Sequence, residues 1–419
     1  MTRGPTLVDR DAGVLWHPWT QHATAGPPVP IASAEGAWLT AADGTRVLDG
    51  ISSWWSCLHG HGHPRLVAAM ERQARRLDHV LLAGFTHEPA VALAERLAAL
   101  TGLSRVFYSD DGSTAVETAL KMAFRFHANR GERRTRFLAL DGAYHGDTVG
   151  AMSLGGVPLF TDGWRDLLFR VDRYEGRVGD DVAAVIVEPM LQGASGMRLR
   201  PKGELTEIAA QCRKAGALLV ADEVLTGFGR TGTMLAVSHE GVRPDLVCLA
   251  KGLTSGMLPL AATVASEEVF RAFHDASGAK TFFHGHTFTG NPIGCAVALE
   301  SLAIFAEEPV LERARRIGEI VRGHLEPLRP RVADVRGIGS MQAVELAGEQ
   351  GYLAGVSRRM AASAWRRGVL LRPLGPVLYA LPPLCLSDEE ANLVGKTMRD
   401  VVDEAVSESA ARSGPAARL

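Results

Sequence analysis

Between residues 103 and 300 two hydrophobic patterns alternate. Short runs that are apolar at nearly every position, RVFYS (105–109), RFLAL (136–140), AAVIVEP (183–189), ALLVADEV (217–224), DLVCLAK (245–251) and LAATVAS (260–266), are separated by longer stretches. In those stretches apolar residues return every three or four positions. The continuous runs predict strands buried on both faces, and the 3.6-residue period predicts helices. TAVETALKMAFRFHANR (114–130) and GELTEIAAQCRKAG (203–216) are two such helices; in the second, Leu205, Ile208, Ala209 and Cys212 recur at helical spacing and Gly216 can end the helix. Strands alternating with helices predict parallel βαβ units, an α/β sheet covered on both faces.

The flanks are patterned differently. Residues 33–58 read as a β-meander turning at Asp43-Gly44. Residues 305–405 read as a helix (310–328), a strand around VRGIGSMQAVEL, a second helix (357–367) and a strand near GVLLRPL. The expected organisation is a large domain over 61–304 with a mainly parallel central sheet, and a smaller α+β domain over 305–405 to which the segment 1–60 contributes. The small, polar tail 406–419 is expected to fray.

Composition narrows the function classes. A 46% hydrophobic, 22% charged chain of 419 residues has the makeup of a globular protein with a large core. Net charge is 45 − 47 = −2, which provides no electrostatic footprint for nucleic acid. The absence of an 18-residue apolar run or a signal-peptide pattern predicts a protein neither spanning a membrane nor exported. Five scattered cysteines without a C-x-x-C pair agree with reduced thiols, and the expected location is the cytoplasm. Only six of the 45 basic residues are lysine, so an unusually placed lysine stands out.

Several segments carry chemistry. Gly227-Phe228-Gly229-Arg230-Thr231-Gly232 fits the dinucleotide pattern G-x-G-x-x-G, but Asp222 and Glu223 just before it would repel a pyrophosphate. Ser109-Asp110-Asp111-Gly112-Ser113-Thr114 lies between a strand and a helix. There Gly112, Ser113 and the first-turn N–H groups could cradle a phosphate. The same residues also read as a plain helix cap, with Glu117 closing a capping box on Thr114. Asp222 closes an otherwise apolar strand, where α/β sheets place ligands, although an N-cap or structural ion pair fits equally. Lys251 closes the next strand, 29 residues later; a desolvated amine there can form a Schiff base, whereas a surface lysine is the plainer alternative.

A phosphate cradle, an acid at one strand end and a lysine at the next match the needs of pyridoxal 5′-phosphate. Tyr144, in GAYHGDT with His145 beside it, offers a ring to stack on the cofactor. His59-Gly60-His61-Gly62-His63 suggests a metal site, but its glycine spacers and Pro64 favour a turn, and the expectation is no metal.

With SDDGSTAVETALKMAF, YHGDTVGAMS, VEPMLQGASGM, ADEVLTGFGRTG, LAKGLTSG and FFHGHTFTGNP, the chain resembles the class III pyridoxal-phosphate-dependent aminotransferases of fold type I. The likeness runs from LWHPWTQ near residue 15 to LRPLGPVLYALPP near 383, and SSWW with HPWTQ points to the branch acting in biotin synthesis. The resemblance implies that Lys251 bonds the cofactor, Asp222 contacts its pyridine nitrogen, Gly112 and Ser113 bind its phosphate, and Tyr144 lies against cofactor and substrate. It further implies a homodimer in which Gly285, His286 and Thr287 complete the neighbouring subunit's phosphate site. Trp19, Trp54, Trp55 and Arg372 would line the substrate pocket, Arg372 pairing with a remote carboxylate. Read as solitary residues, Trp54 and Trp55 are also a strand-end staple and Arg372 a solvated arginine. The implied acceptor is 8-amino-7-oxononanoate and the implied donor S-adenosyl-L-methionine. Lysine is the alternative donor, and a reaction on other ω-amino acids or diamines the alternative activity. Trp19 stands where the family's HPYT motif carries Tyr or Phe, and His286 where some members have Pro.

Overall fold

The computed structural model describes residues 5–348 and 351–412. Its centre is a seven-stranded sheet in the order Arg105–Ser109, Ala261–Ala265, Leu246–Leu249, Leu218–Asp222, Val182–Val187, Arg136–Ala139 and Asp172–Arg173. The middle strands Val182–Val187 and Leu218–Asp222 are buried at every position, as continuous apolar runs require. The helix Gly112–Asn129 covers one face, tied down where Thr263 Oγ1 donates to Ala115 O at 2.8 Å. On the other face, Glu88–Thr101, Glu204–Ala215 and Pro292–Glu307 fill a second core with Leu93, Leu97, Ile208 and Val297.

All strands of this sheet run parallel except Ala261–Ala265, which is antiparallel to both of its neighbours, Leu246–Leu249 and Arg105–Ser109. The sheet is mainly parallel, as expected, and the parallel repeat is interrupted there because no α-helix lies between Leu249 and Ala261. A 3-10 turn over Lys251–Thr254 returns the chain directly beside the strand it left.

The meander is present as Ile31–Glu35, Trp38–Ala41 and Arg46–Asp49, and Val369–Leu370 joins its edge in parallel. The N-terminal residues Leu48, Ile51 and Trp55 therefore share one core with Ile317, Val344, Leu378 and Val401. The segment VRGIGSMQAVEL is a hairpin of two strands, Asp334–Ile338 and Met341–Glu345, because Gly339 at φ +53° turns the chain in its middle. The helix expected over 310–328 ends at Leu325 and tightens into a 3-10 turn, Glu326–Arg331, where Pro327 and Pro330 remove amide donors. The last helix, Asp388–Arg412, continues through the first half of the segment expected to fray, and 413–419 lie outside the described residues. Among the described residues, no helix is long and apolar enough to cross a membrane.

Candidate active site

The parallel strands end on one side of the sheet, and their carboxyl-terminal ends meet a cavity of about 710 Å³ lined by Asp110 to Ser113, Tyr144 to Thr148, Glu188, Asp222 and Lys251. This is where an α/β sheet presents ligand-binding groups.

At one end the helix Gly112–Asn129 opens toward the cavity. Its cap is Asp111, whose Oδ1 accepts from Thr114 N at 2.9 Å, while Thr114 Oγ1 accepts from Asp111 N at 2.9 Å. The capping box is thus Asp111–Thr114 rather than Thr114–Glu117. Glu117 instead accepts from Gly150 N at 2.6 Å, which holds the following loop against the helix. The amides of Gly112 and Ser113 stand at the first two helical positions, which have no intrahelical acceptor and carry the positive end of the helix dipole. Side chains are excluded here: a Cβ on Gly112 would lie 2.5 Å from Val224 Cγ1, and one on Gly146 2.3 Å from Ser113 Oγ. Ser113 Oγ also bonds Thr148 Oγ1 at 2.7 Å, so the 145–148 loop and the helix start form a single rim.

Asp222 is buried at the end of its strand. Its Oδ1 accepts from Val224 N at 3.0 Å, and its Oδ2 lies 2.7 Å from His145 Nδ1. His145 Nε2 is buried without a hydrogen-bond partner among the described residues. The strand preceding Lys251 ends at Leu249, so the lysine opens the 3-10 turn at φ +36°, a backbone angle uncommon for a side-chain-bearing residue. Burial lowers the Lys251 pKa, Arg230 adds to the effect, and the Asp222 and Glu188 carboxylates oppose it. A larger fraction of neutral amine, the nucleophilic form, results. The Lys251 Nζ sits 4.9 Å from the centre of the Trp55 ring.

These features fit pyridoxal 5′-phosphate: an anion cradle with glycine at 112 and 146, a buried carboxylate for a pyridinium, and a desolvated amine. The chain matches the family described as aminotransferase class-III over residues 20–167 and 161–402. It is 44% identical over 417 residues to the adenosylmethionine-8-amino-7-oxononanoate aminotransferase of Synechococcus elongatus, covering 93% of this chain and 98% of that protein. The enzyme of the same name from Nitratidesulfovibrio vulgaris is 42% identical, over 99% of this chain and 84% of that protein. The crystal structure of the Methanocaldococcus jannaschii enzyme superposes with a TM-score of 0.90 at 35% identity, covering 94% of this chain and 98% of that one. An amine transaminase from an uncultivated Pseudomonas species, in its PLP-bound form, gives 0.87 at 33% identity over 93% and 98%. The chain belongs to the class III aminotransferases.

In this class III aminotransferase a second, narrower cavity of about 240 Å³ adjoins Lys251 and is lined by Trp19, Trp54, Trp55, Tyr144, Phe160, Tyr352, Arg372 and Tyr379, among others. The segment Ser52–Trp55 is not a strand end. It is a turn in which all four residues take positive φ, at 50°, 44°, 78° and 74°. Left-handed backbone costs roughly 1–2 kcal/mol per side-chain-bearing residue. Asp49 holds the turn: it accepts from Ile51 N (3.2 Å) and Ser53 Oγ (2.7 Å), and is paired with His61 Nε2 at 2.9 Å. Ser52 Oγ donates to Leu381 O at 2.8 Å. The turn buries Trp55, whose Nε1 donates to Tyr379 Oη at 3.0 Å, and turns Trp54 so that the Arg372 guanidinium lies 4.1 Å from its ring centre. Trp19, at φ +56°, meets Phe160 edge-on at 4.7 Å and Tyr144 at 6.2 Å.

Gly285, His286 and Thr287 do not line the cavities that hold Lys251 of their own chain. Gly285 and Thr287 are exposed, and His286 Nδ1 lies 2.8 Å from Asp110 Oδ2 at an angle that makes no hydrogen bond. The Gly227–Gly232 loop turns into the core, burying Phe228 and Arg230, and Glu223 accepts from Ala236 N and Val237 N instead of facing a ligand. The histidines of the HGHGH tract take separate partners, His59 with Ser301 and His61 with Asp49.

Glu188 has no role in the sequence reading. Buried at the cavity wall, it accepts from Tyr144 N (3.0 Å) and Gly193 N (3.1 Å), and burial pushes its pKa up to about 7. The rule that singled out Asp222, an acid closing an apolar strand, applies equally to AAVIVE and would have found it. Phe160 and Tyr352 carry no such signal, since they reach the site from a short helix, Pro158–Thr161, and a loop distant in sequence.

Proposed function

We propose that this aminotransferase moves an amino group from S-adenosyl-L-methionine to 8-amino-7-oxononanoate, giving 7,8-diaminononanoate in the biotin pathway. The observation that carries it is the half-buried Lys251, its amine between the Gly112–Ser113 cradle with Asp222 on one side and the Trp54–Arg372 pocket on the other. An aliphatic acceptor with a terminal carboxylate matches a narrow aromatic pocket holding one guanidinium, and the names of relatives at 42–44% identity support the same substrates.

The cofactor, when bound, supplies an electron sink for negative charge developing at the donor carbon. Gly112, Ser113 and the helix dipole would hold its phosphate, and Asp222, oriented by His145 and Val224 N, would meet its pyridine nitrogen. Tyr144 would lie against cofactor and substrate. Lys251 Nζ is both the amine that bonds the cofactor and the general base that carries the proton at the reacting carbon; its lowered pKa suits both tasks. Trp54 and Trp55 exclude water along the acceptor's chain, and Arg372 binds its carboxylate. Trp19 with Tyr144 walls the opening. Gly285, His286 and Thr287 serve the neighbouring subunit of a homodimer. Large-domain residues 61–304 supply the cofactor groups together with Tyr144 and Phe160 of the substrate pocket, and 1–60 with 305–405 supply the other substrate groups. The enzyme works in the cytoplasm.

The test is a donor panel (adenosylmethionine, lysine, simple ω-amines) run against 8-amino-7-oxononanoate with product mass measured. Lys251→Ala is the companion variant. Adenosylmethionine alone should give diaminononanoate, and the variant should lose turnover by at least 10⁴-fold, on the order of the loss when a covalent nucleophile is removed. Borohydride should lock the cofactor onto the peptide carrying Lys251. Near-wild-type turnover by the variant refutes the assignment.

A further inference from the structure

A third cavity of about 680 Å³ lies outside the acceptor pocket and shares the wall of Trp19, Phe160 and Tyr352 with it. Phe160 forms the partition, edge-on to Trp19 at 4.7 Å and to Tyr352 at 5.1 Å. Beyond the partition the lining is mostly apolar and open to solvent: Trp164 is 55% exposed, Leu167 59% and Leu353 79%. A contiguous exposed patch of this kind marks a binding surface more often than a plain one. Asp147 lines both this vestibule and the Lys251 cavity, placing a carboxylate where the two meet.

A double-displacement enzyme must bring both substrates to the same lysine, although they differ at their far ends. The acceptor ends in a flexible chain and a carboxylate, which the Trp54–Arg372 pocket matches. The donor ends in a cationic sulfur bearing a planar purine nucleoside. The inner pocket, about 240 Å³, falls below the roughly 300–1,000 Å³ of sites for ligands of that size, and the vestibule falls within it. We propose that the vestibule bounded by Trp19, Phe160 and Trp164 is the seat of the donor's purine nucleoside, separate from the subsite that takes the acceptor. The base stacks on the exposed indole of Trp164, and Asp147 faces the sulfonium. This inference rests on the donor assignment above.

The experiment uses the holoenzyme and Trp164→Ala, with Leu167→Arg as a second variant that fills the same vestibule from an exposed position. Loss of one base–aromatic stack should raise the adenosylmethionine KM about 5- to 150-fold. The acceptor KM and kcat should stay within twofold. 5′-Methylthioadenosine, which keeps the nucleoside but lacks a transferable amine, should bind the wild-type holoenzyme in calorimetry, compete with the donor, and weaken by the same factor in both variants. Unchanged donor KM in folded variants overturns the proposal. So does a variant that dissociates into single subunits with its donor KM intact, which would make the patch a subunit contact. A wild-type enzyme that uses lysine and ignores adenosylmethionine defeats the donor assignment alone; the vestibule proposal falls with it only if methylthioadenosine also fails to bind.

Discussion

His61→Gln probes how a strained turn is kept in place. His61 pairs with the fully buried Asp49 at 2.9 Å, and this hydrogen bond, supported by Cys57, raises the imidazole pKa from 6.5 to about 10. At full strength that difference is worth about 5 kcal/mol at 1.36 kcal/mol per tenfold. The His61 side chain keeps 14% of its surface in solvent, and screening brings the expected contribution to about 2–3 kcal/mol. The sign follows from the raised value. Below pH 6.5 the folded and unfolded chains both hold the proton and the stabilisation is complete. Between 6.5 and about 10 only the folded chain holds it, so stability falls as pH rises, and above about 10 the contribution is gone. On the acid side the pairing persists to below the ordinary aspartate value, because Asp49 itself titrates lower than usual. The assay is urea unfolding followed by tryptophan fluorescence at pH 6, 8 and 10.5. Wild type should exceed His61→Gln by about 2–3 kcal/mol at pH 6 and match it at pH 10.5. Because the pair anchors the Ser52–Trp55 turn, the acceptor KM of the variant should rise while cofactor absorbance stays unchanged. A stability gap that does not change between pH 6 and 10.5 refutes the reasoning.

Two further substitutions separate the subsites. Arg372→Ala removes the charge over Trp54. It should raise the acceptor KM by about 10- to 150-fold, as expected for a lost hydrogen bond to a charged group, while the donor half-reaction, followed by visible absorbance, keeps its rate. Gly112→Val places a side chain where even a Cβ comes within 2.5 Å of Val224. It should weaken pyridoxal-phosphate binding by about tenfold or more in an absorbance titration, with the global circular-dichroism spectrum retained.

Local pattern was enough for the sheet. Each central strand is a continuous apolar run, and any fold that buries Val182–Val187 and Leu218–Asp222 on both faces needs helices above and below. The end-of-strand acid at Asp222 and the lone lysine after Leu249 were visible for the same reason: a charge beside a run of buried residues is costly unless it has a task. Pairings between distant residues were not visible. The antiparallel insertion of Ala261–Ala265 depends on a 3-10 turn that has no hydrophobic period. The reversal of SSWW into a left-handed turn depends on Asp49, held by His61, and on the Leu381 carbonyl, which takes the Ser52 hydroxyl only once the meander has met the C-terminal core. Phe160 and Tyr352 belong to a short helix and a loop whose composition says nothing of the cavity they partition. Burial is written residue by residue into the chain, whereas the meeting of Arg372 with Trp54 or of Trp19 with Phe160 is set by packing between residues far apart in sequence, and packing is a property of the whole.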